Sequence, residues 1–245
     1  MSMNNDMGQE KKEWRPLEKM FSEVPPRYDL MNRMLTFRFD VLWRRKAARE
    51  CLMRNPKRIL DLCTGTGDLA VQIEKLADGH AEITGLDYSD SMLSLAREKA
   101  LKKGFDHIRF VRGDAADLPF GNESLDSIGI AFAFRNLTYK NPDQMKFLKE
   151  IYRVLSNKGT FVIVETSQPS SMVMRFLFHS YLQIVVAGIG GNLSGNKKAY
   201  KYLAASARNF YASDHVINML SETGFSQVRH KKLMGGIAGI TVGIK

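Results

Sequence analysis

Cysteine is scarce in this sequence, and its scarcity excludes two ways of stabilising a small fold. Only Cys51 and Cys63 occur among the 245 residues. Two cysteines cannot form a disulfide framework, and they fall short of a four-cysteine zinc site. A chain of this length can bury about 70% of its unfolded surface, so it needs neither. We therefore expect a reducing compartment, the cytoplasm.

The N-terminus lacks an apolar run, and no internal repeat occurs along the chain. Residues 1–15 are polar and charged, which predicts neither a signal peptide nor an N-terminal anchor. Residues 1–13 show no periodicity and are predicted to be a disordered tail. Hydrophobic residues make up 44% and charged residues 25% of the chain. This is an ordinary globular composition, and it excludes collagenous, coiled-coil and wholly disordered proteins.

The net charge is +10, and its distribution is uneven. Residues 1–60 contain 14 basic and 8 acidic side chains, and residues 195–245 contain 8 and 2. The middle of the chain is nearly neutral, with 14 basic and 16 acidic side chains. A basic excess is typical of proteins that meet nucleic acid, an anionic membrane surface or an acidic ligand, and it also occurs on plain solvated surfaces.

Short apolar runs alternate with segments of helical periodicity through the first two thirds of the chain. This alternation is typical of a parallel, doubly wound α/β sheet with right-handed crossovers. Ahead of it, residues 18–53 are predicted to be helical, with a break at Pro25 and Pro26. The predicted strands are residues 58–63, 81–86, 108–111, 125–132 and 160–165, and the predicted helices between them are residues 69–76, 90–103 and 141–155.

The C-terminal third has a different pattern. Residues 172–189 form a very apolar helical segment that is too short and too polar for a confident transmembrane helix. We expect the glycines of residues 188–195 to end it. Residues 214–223 are predicted to be helical, and residues 225–232 and 237–244 are predicted to pair as a hairpin around two glycines.

A glycine loop after the first predicted strand is the strongest local signal of a binding site. Residues 61–68 read Asp-Leu-Cys-Thr-Gly-Thr-Gly-Asp, and Asp87 ends the second strand twenty residues after Gly67. Glycines there let the backbone approach a ligand, and a carboxylate at that distance can accept both hydroxyls of a ribose. A dinucleotide site requires a third glycine, which is missing, and Asp68 adds negative charge. The pattern therefore favours S-adenosylmethionine, a cationic nucleoside without phosphate, over a plain strand–turn–helix joint.

Asp114 follows the third predicted strand, between Gly113 and Ala115. In a doubly wound sheet this strand end lies beside that of the second strand, so Asp114 can reach an adenine amino group. The alternative is an aspartate that only forms a turn.

Linked motifs over residues 21–245 resemble the ubiquinone/menaquinone biosynthesis C-methyltransferase family. They include the segment around Tyr28 with the Trp-Arg-Arg of residues 43–45, the glycine loop, and the Gly-Leu-Asp that ends at Asp87. The remaining motifs match in order and spacing at residues 91–93, 118–120, 131–136, 152–155, 199–203 and 235–237. Two departures are Cys63, where such loops often have glycine, and Phe210-Tyr211, where Phe-Pro is common.

The resemblance implies a class I methyltransferase fold: a Rossmann-like sheet of seven strands, mostly parallel, with the last strand antiparallel. It implies methyl transfer from S-adenosylmethionine to a ring carbon of a prenylated hydroquinone, with demethylmenaquinol preferred over a ubiquinone precursor. Together with the loop analysis it predicts these donor contacts: Asp61, Gly65, Thr66, Gly67, Asp87, Tyr88, Asp114 and Ala115.

The resemblance also places an Arg-Asn pair, Arg135 and Asn136, after the fourth strand. A ring carbon attacks well only when an adjacent phenol is ionised, and a free phenol has a pKa near ~10. Arginine holds its proton too tightly to act as a base. We therefore expect Arg135 to bind the phenolate and polarise a water, Asn136 to orient that water, and Tyr28 to bound the ring. The alternative for Arg135 is an ion pair with a surface carboxylate.

The expected organisation is a single domain over residues 14–245. It comprises an N-terminal helical cap (14–55), a donor-binding core (56–166), a helical substrate-side insertion (167–212) and a helix with a terminal hairpin (213–245).

We expect peripheral association with the inner face of the membrane through the segment containing residues 175–186. The alternative is that this segment is a buried wall of the pocket. A homodimer stays open as a further partner.

No metal is expected, since the sulfonium is already activated and the five histidines lack ligand spacing.

Three other functions are considered. A nucleic-acid methyltransferase is disfavoured because residues 134–137 lack the Pro-Pro-aromatic loop of amino-group methylation and no nucleic-acid module is visible. A small-molecule O-methyltransferase and a non-catalytic donor-binding scaffold stay open because a fold alone does not fix function.

Overall fold

The structure, a computed structural model, describes residues 33–193 and 197–245. Its centre is one sheet in the order β3-β2-β1-β4-β5-β7-β6. The strands are β1 (Arg58–Leu62), β2 (Glu82–Asp87), β3 (Arg109–Arg112), β4 (Leu125–Ala131), β5 (Leu155–Thr166), β6 (Ser226–Leu233) and β7 (Ala238–Ile244).

Helices connect these strands and cover both faces of the sheet. They are α1 (Phe39–Leu52), α2 (Asp68–Ala77), α3 (Asp90–Leu101), α4 (Phe134–Thr138), α5 (Gln144–Val154), α6 (Met172–Tyr181), a π-helix (Leu182–Gly190), α7 (Lys197–Asn209) and α8 (Ser213–Thr223). Ser89 caps α3 by accepting a hydrogen bond from the Met92 amide, as its position predicts.

The predicted topology is confirmed. Strands β1 to β5 are parallel, and β7 runs antiparallel to both of its neighbours, β5 and β6. The parallel strands are continuous apolar runs because helices cover them on both faces. One core cluster joins α1, α2 and α3 to the sheet, and a second joins α5 and α8 to the opposite face.

Strand β5 is longer than the sequence predicted. It begins at Leu155 rather than at residue 160, because Leu155 already pairs with Leu125 of β4. Residues 157–159, between the predicted helix and the predicted strand, form an irregularity inside the strand, where Lys158 has φ +64°. The tight reversal between β6 and β7 is confirmed, with positive φ at Gly235 and Gly236.

The glycines at 188, 190 and 191 do not end the apolar helix after residue 189 as expected, since Gly191–Leu193 are also helical. The helix continues from α6 into the π-helix, which runs to Gly190. At Gly190 a β-carbon would lie 3.0 Å from side-chain atoms of both Leu35 and Tyr200, so the glycine permits close packing. A π-helix this long is rare, and π-turns often occur at functional sites.

The N-terminal expectations are tested only in part. Helix α1 confirms the second half of the predicted stretch, and it follows Phe37 and Arg38, which both have left-handed backbone conformations. The predicted tail, Pro25-Pro26 and Tyr28 lie outside the described residues. The domain boundaries stay a prediction.

Candidate active site

A cavity of about 920 Å³ opens at the carboxyl ends of the parallel strands. This volume is near the upper end of the ~300–1,000 Å³ range of ligand pockets. The cavity brings together most of the predicted site residues, since its lining includes Asp61, Gly65, Thr66, Asp87, Tyr88, Asp114, Ala115, Arg135 and Asn136.

The two glycines of the loop differ in function. Gly67 has φ +79° and begins α2, and a β-carbon there would lie 3.0 Å from the Ala96 β-carbon. It therefore lets α2 pack closely against α3. Gly65 has φ +54°, and a β-carbon there would meet nothing within 4 Å. Gly65 is thus the point where a ligand can approach the backbone.

Asp87 is fixed at the end of β2 by backbone donors. Its Oδ2 accepts the Gly65 N–H at 2.8 Å and its Oδ1 accepts the Ser89 N–H at 3.0 Å. Burial raises the pKa of Asp87 above its ordinary value, although these hydrogen bonds favour the ionised form. Each carboxylate oxygen has a second lone pair, so both can still accept ribose hydroxyls.

The adenine-side residues lie beside Asp87, as strand adjacency predicts. Asp87 pairs with Arg112 across β2 and β3, and Gly113 and Asp114 follow directly. Asp114 Oδ1 accepts the Ala116 N–H at 2.8 Å, which restrains the carboxylate at the cavity that it lines. Tyr88 is 46% exposed and lies under the Arg112 guanidinium. This leaves one face of its ring accessible from the cavity that it lines.

Asp61 is more deeply placed than a typical ligand contact. It is buried, and its Oδ2 accepts the Thr64 hydroxyl at 2.5 Å and the Ala70 N–H at 2.8 Å. Burial raises the pKa of Asp61 to about 7. These contacts tie the glycine loop to the first turn of α2, so Asp61 shapes the loop.

The negative charge that Asp68 adds to the site is partly neutralised by neighbouring cations. Lys99 lies 2.6 Å from its Oδ1 and Arg33 lies 3.4 Å from it. Burial alone would raise the pKa of Asp68, but the charges of Arg44, Lys99 and Arg33 outweigh it and lower the pKa. Asp68 is therefore ionised and largely balanced.

Cys63 is the residue at which the loop departs from the common pattern. Its φ is +54°, in the left-handed region that glycine adopts at no steric cost. A side chain there is strained by roughly 1–2 kcal/mol. The backbone conformation is thus one reason for the usual preference for glycine at this position.

Arg135 forms an ion pair, but with a buried carboxylate rather than the surface carboxylate we had weighed. Its Nη1 donates to Glu165 Oε1 at 2.5 Å, and its Nε donates to Ser206 Oγ at 3.2 Å. Both residues of the pair are about 95% buried. Glu165 also accepts the Arg135 and Thr166 backbone N–H groups and the Thr166 hydroxyl.

The sequence analysis missed Glu165, although a signal was present: Glu165, like Asp87, is a carboxylate at the carboxyl end of a buried parallel strand. It also missed Ser206 and Tyr202, which lie on α7. The Tyr202 hydroxyl donates to Asn136 Oδ1 at 3.3 Å, and burial raises the pKa of Tyr202. Only the tertiary structure brings α7 to the Arg-Asn pair.

The wall opposite the strand ends is apolar. It is formed by α6, the π-helix, α7, the β6–β7 turn and the residues before α1. Its buried members pack as one cluster with Leu35 and Tyr200. Representative lining residues are Leu177, Phe178, Leu182, Val186, Leu203 and Met234.

Within the described residues, no three His, Cys, Asp or Glu side chains group as a metal site. His107 pairs with Glu74, 2.9 Å away, at the far end of α2.

The sequence model of the ubiE/COQ5 methyltransferase family matches residues 7–245. The chain belongs to this family. A relative from Thermus thermophilus named demethylmenaquinone methyltransferase is 44% identical over 91% of this chain and 99% of its own length. One of the same name from Deinococcus radiodurans is 40% identical over 98% of this chain and 96% of its own.

Solved structures agree on the fold. A SAM dependent methyltransferase from Aquifex aeolicus superposes with a TM-score of 0.59 over 92% of this chain and 96% of its own, at 17% identity. PigF with SAH superposes with a TM-score of 0.58 over 81% of this chain and 53% of its own, at 20% identity. These identities show the class I methyltransferase fold alone, and they confirm that prediction.

The chain is therefore an S-adenosylmethionine-dependent methyltransferase, and the predicted family and enzyme class are confirmed. The residues present fit the donor. Gly65 leaves the backbone open, Asp87 has acceptor capacity for a ribose, and Asp114 lies one strand further along. Direct contact of each predicted residue with the donor stays a prediction.

Proposed function

We propose that this chain transfers the methyl group of S-adenosylmethionine to a ring carbon of demethylmenaquinol in menaquinone biosynthesis. The curated relatives are named for that acceptor. The observation that supports it in this chain is that one cavity of about 920 Å³ joins a polar strand edge to an apolar wall. A polar donor and an apolar acceptor can thus meet inside it.

The strand order indicates how the donor lies. In the proposed orientation, adenine lies at the end of β3 near Asp114 and Ala115, the ribose at the end of β2 on Asp87, and the methionine over the loop after β1. These three strand ends are adjacent in the order β3-β2-β1. The methyl group then faces Arg135 and Asn136, which follow β4.

The chemistry requires an ionised hydroquinone. A ring carbon next to the phenolate oxygen attacks the methyl carbon as the carbon–sulfur bond breaks, and the electron pair stays on sulfur. The ring carbon then loses its hydrogen as a proton, which restores aromaticity. Overall one proton passes to water for each methyl group transferred.

Arg135 and Glu165 would act on the phenol as a fixed dipole rather than as a free cation. Because Glu165 balances the charge of Arg135, the pair stabilises a phenolate only through its orientation. Asn136 is half-buried beside it and is held through Tyr202, so it can orient a water that accepts the proton. Tyr28 remains the proposed boundary of the ring pocket.

The test is transfer of an isotopically labelled methyl group to demethylmenaquinol and to a demethoxybenzoquinol analogue, with the product located by NMR. We expect methyl on a ring carbon of the first acceptor. Methyl on oxygen would assign the chain as an O-methyltransferase, and binding of the donor without turnover would assign it as a scaffold. Preference for the benzoquinol would move the chain to ubiquinone biosynthesis.

We further propose that an apolar face beside the cavity docks on an anionic membrane, where a prenylated acceptor resides. The docking face comprises Met172, Val173, Phe176, Leu177 and Met234, which are between 49% and 83% exposed. It is continuous, because Gly235 of the β6–β7 turn lies against the Met174 side chain. Exposed Arg175, Lys231 and Lys232 flank it, as lipid headgroups would require.

Contrary to the sequence expectation, the segment Met172–Gly190 is long and apolar enough to span a membrane by length and composition, and few of its residues are buried. Its inner face contributes Phe178, Leu182 and Val186 to the cavity. The two sequence alternatives, pocket wall and surface docking, are therefore compatible: Val173 and Phe176 are exposed outside the cavity, whereas Leu177 and Met234 line it and are also exposed. A helix with one face in the cavity favours peripheral docking over spanning.

Flotation with vesicles tests the docking face. We expect binding to phosphatidylglycerol-containing vesicles that weakens with salt and is lost in the Val173→Ser/Phe176→Ser variant. Leu101→Ser, at an equally exposed apolar position on α3, is the matched control and should bind as wild type does. Equal flotation of both variants would remove the docking face from the proposal.

A further inference from the structure

Three cationic side chains line the cavity within the described residues: Arg44, Arg135 and Lys146. Arg135 is committed to Glu165, and Lys146 is exposed on α5 at the rim. Arg44 lies on α1, and its side chain is 13% exposed. It is thus a buried cation that the methyl-transfer chemistry does not use.

Arg44 is held in one orientation. Its Nη1 donates to Asp40 Oδ2 at 2.5 Å, and Asp40 in turn accepts the Thr36 hydroxyl at 2.7 Å. The guanidinium carbon lies 4.9 Å from the centre of the Phe132 ring, so the planar group rests on an aromatic face. Among residues 33–193 and 197–245 the guanidinium makes no other hydrogen bond. Four of its five N–H donors are therefore available to a ligand.

The position of Arg44 matches one end of the donor. Its charge acts on both Asp61 and Asp68, which flank the glycine loop after β1. In the donor orientation proposed above, adenine, ribose and methionine follow the adjacent strand ends of β3, β2 and β1. The amino-acid end of the donor therefore arrives where Arg44 lies, and that end carries a carboxylate and an ammonium group.

We infer that Arg44 binds the α-carboxylate of S-adenosylmethionine, with Asp40 holding the guanidinium in place. A planar guanidinium matches a carboxylate through two parallel N–H bonds. This inference rests on the proposed donor site and adds the residue that recognises the amino-acid part.

Paired ligands test it. S-adenosylhomocysteine has the amino-acid end, whereas 5′-methylthioadenosine lacks it and keeps the adenosine. Calorimetric titration of wild type, Arg44→Gln and the control Arg45→Gln with both ligands separates the two parts. Arg45 is the next residue on α1 and is exposed. We expect Arg44→Gln to bind S-adenosylhomocysteine at least about tenfold more weakly, as for a lost charged hydrogen bond, with methylthioadenosine binding within about twofold of wild type.

Either of two results overturns the inference. Equal loss of both ligands would show that Arg44 only supports the fold of the site, and unchanged binding of both would show that it contacts neither. Methylthioadenosine binding also reports that the variant is folded. Asp40→Asn should give a smaller loss of the same selectivity, because Arg44 keeps its charge but loses its anchor.

The experiment separates this inference from the proposed acceptor. If wild type binds S-adenosylhomocysteine and Arg44→Gln is selectively impaired, the carboxylate site stands even when demethylmenaquinol is not methylated. If wild type binds neither ligand, both the donor site and the role of Arg44 are wrong.

Discussion

The strand edge and the apolar wall enclose the same cavity but are built in different ways. The strand edge is fixed by buried carboxylates that accept backbone N–H groups and by residues with positive φ. The wall, from Met172 to Gly190 with α7 and the β6–β7 turn, has few such polar contacts and exposes large apolar side chains outward. A rigid polar edge suits one constant small molecule, whereas a less constrained apolar wall suits an acceptor with a long tail.

The Arg135–Glu165 pair joins the two regions, since Ser206 of the wall accepts a hydrogen bond from Arg135. We expect Glu165→Ala to have the largest effect, because it leaves Arg135 buried and unpaired. The free energy of unfolding should fall by about 3–5 kcal/mol, measured by denaturant titration. Turnover should fall as well.

An apolar replacement of the pair, Arg135→Met/Glu165→Leu, is the control for this prediction. It should recover most of the stability, because no buried charge is left alone, but not the turnover. A loss below about 1 kcal/mol in the single variant would contradict a buried pair, since exposed pairs contribute that little.

Substitution of Asp87 should impair donor binding at the strand edge and leave the apolar wall unchanged. Asp87→Ala is expected to weaken S-adenosylmethionine binding about ten- to hundredfold, or roughly 1.5–3 kcal/mol, by calorimetry. Burial raises the pKa of Asp87. As the pH is lowered, donor affinity should therefore begin to fall at a higher pH than it would for a free aspartate. Asp90→Ala, an exposed aspartate on α3, should bind normally. Unchanged donor affinity in Asp87→Ala would remove Asp87 from the site.

Asp61 should make stability depend on pH. Burial raises its pKa to about 7, so the folded state binds more protons than the unfolded state between about pH 4 and pH 7. Stability contributed by this group is therefore lost as the pH rises through that window. Asp61→Asn keeps an acceptor oxygen but cannot titrate. The fall in the free energy of unfolding between pH 5 and pH 7 should therefore be smaller than in wild type by on the order of 1–2 kcal/mol.

Asp126 is the control for Asp61, because its pKa is shifted in the opposite direction. Burial opposes its ionisation, but hydrogen bonds from Arg58 and from the Lys57 amide outweigh it and lower the pKa. Its contribution is present above the unfolded pKa and is lost as the pH falls through the folded one. Asp126→Asn should therefore leave the change between pH 5 and pH 7 as in wild type, and a similar flattening would contradict the assignment to Asp61.

Substitution on the apolar wall should affect the acceptor without affecting the donor. Phe176 is 71% exposed, so Phe176→Ser should leave the unfolding midpoint unchanged. It should weaken vesicle binding about fivefold, on the order of 1 kcal/mol. Turnover of a long-tailed quinol in vesicles should fall, whereas turnover of a short-tailed soluble analogue should not. An equal fall for both acceptors would place Phe176 inside the reaction site instead.

The smallest expected effect is at Cys63. Cys63→Gly removes left-handed strain of roughly 1–2 kcal/mol but adds unfolded-state entropy, so we expect a net gain below about 1 kcal/mol. Cys63→Ala removes the same thiol without relieving the backbone and should show no gain. Thermal unfolding of the two variants checks the difference, and equal midpoints would rule out strain at this position.

The sequence by itself determined the parallel sheet, the glycine loop and the order of Asp87 and Asp114, because these follow from local periodicity and from residues that end buried strands. It also identified Arg135 and Asn136, through a family resemblance rather than through local physics. Tyr28 lies outside the described residues, so its role stays a prediction.

The tertiary structure alone decided what surrounds those residues. Glu165 and Ser206 are 30 and 71 positions from Arg135, and Arg44 reaches the loop from a helix that precedes the first strand. Hydropathy could not show that the helix Met172–Gly190 passes its glycines as a π-helix with one face in the cavity, because close packing at Gly190 depends on Leu35 and Tyr200. Contacts between distant segments fix buried charges and helix continuity, and local sequence does not encode them.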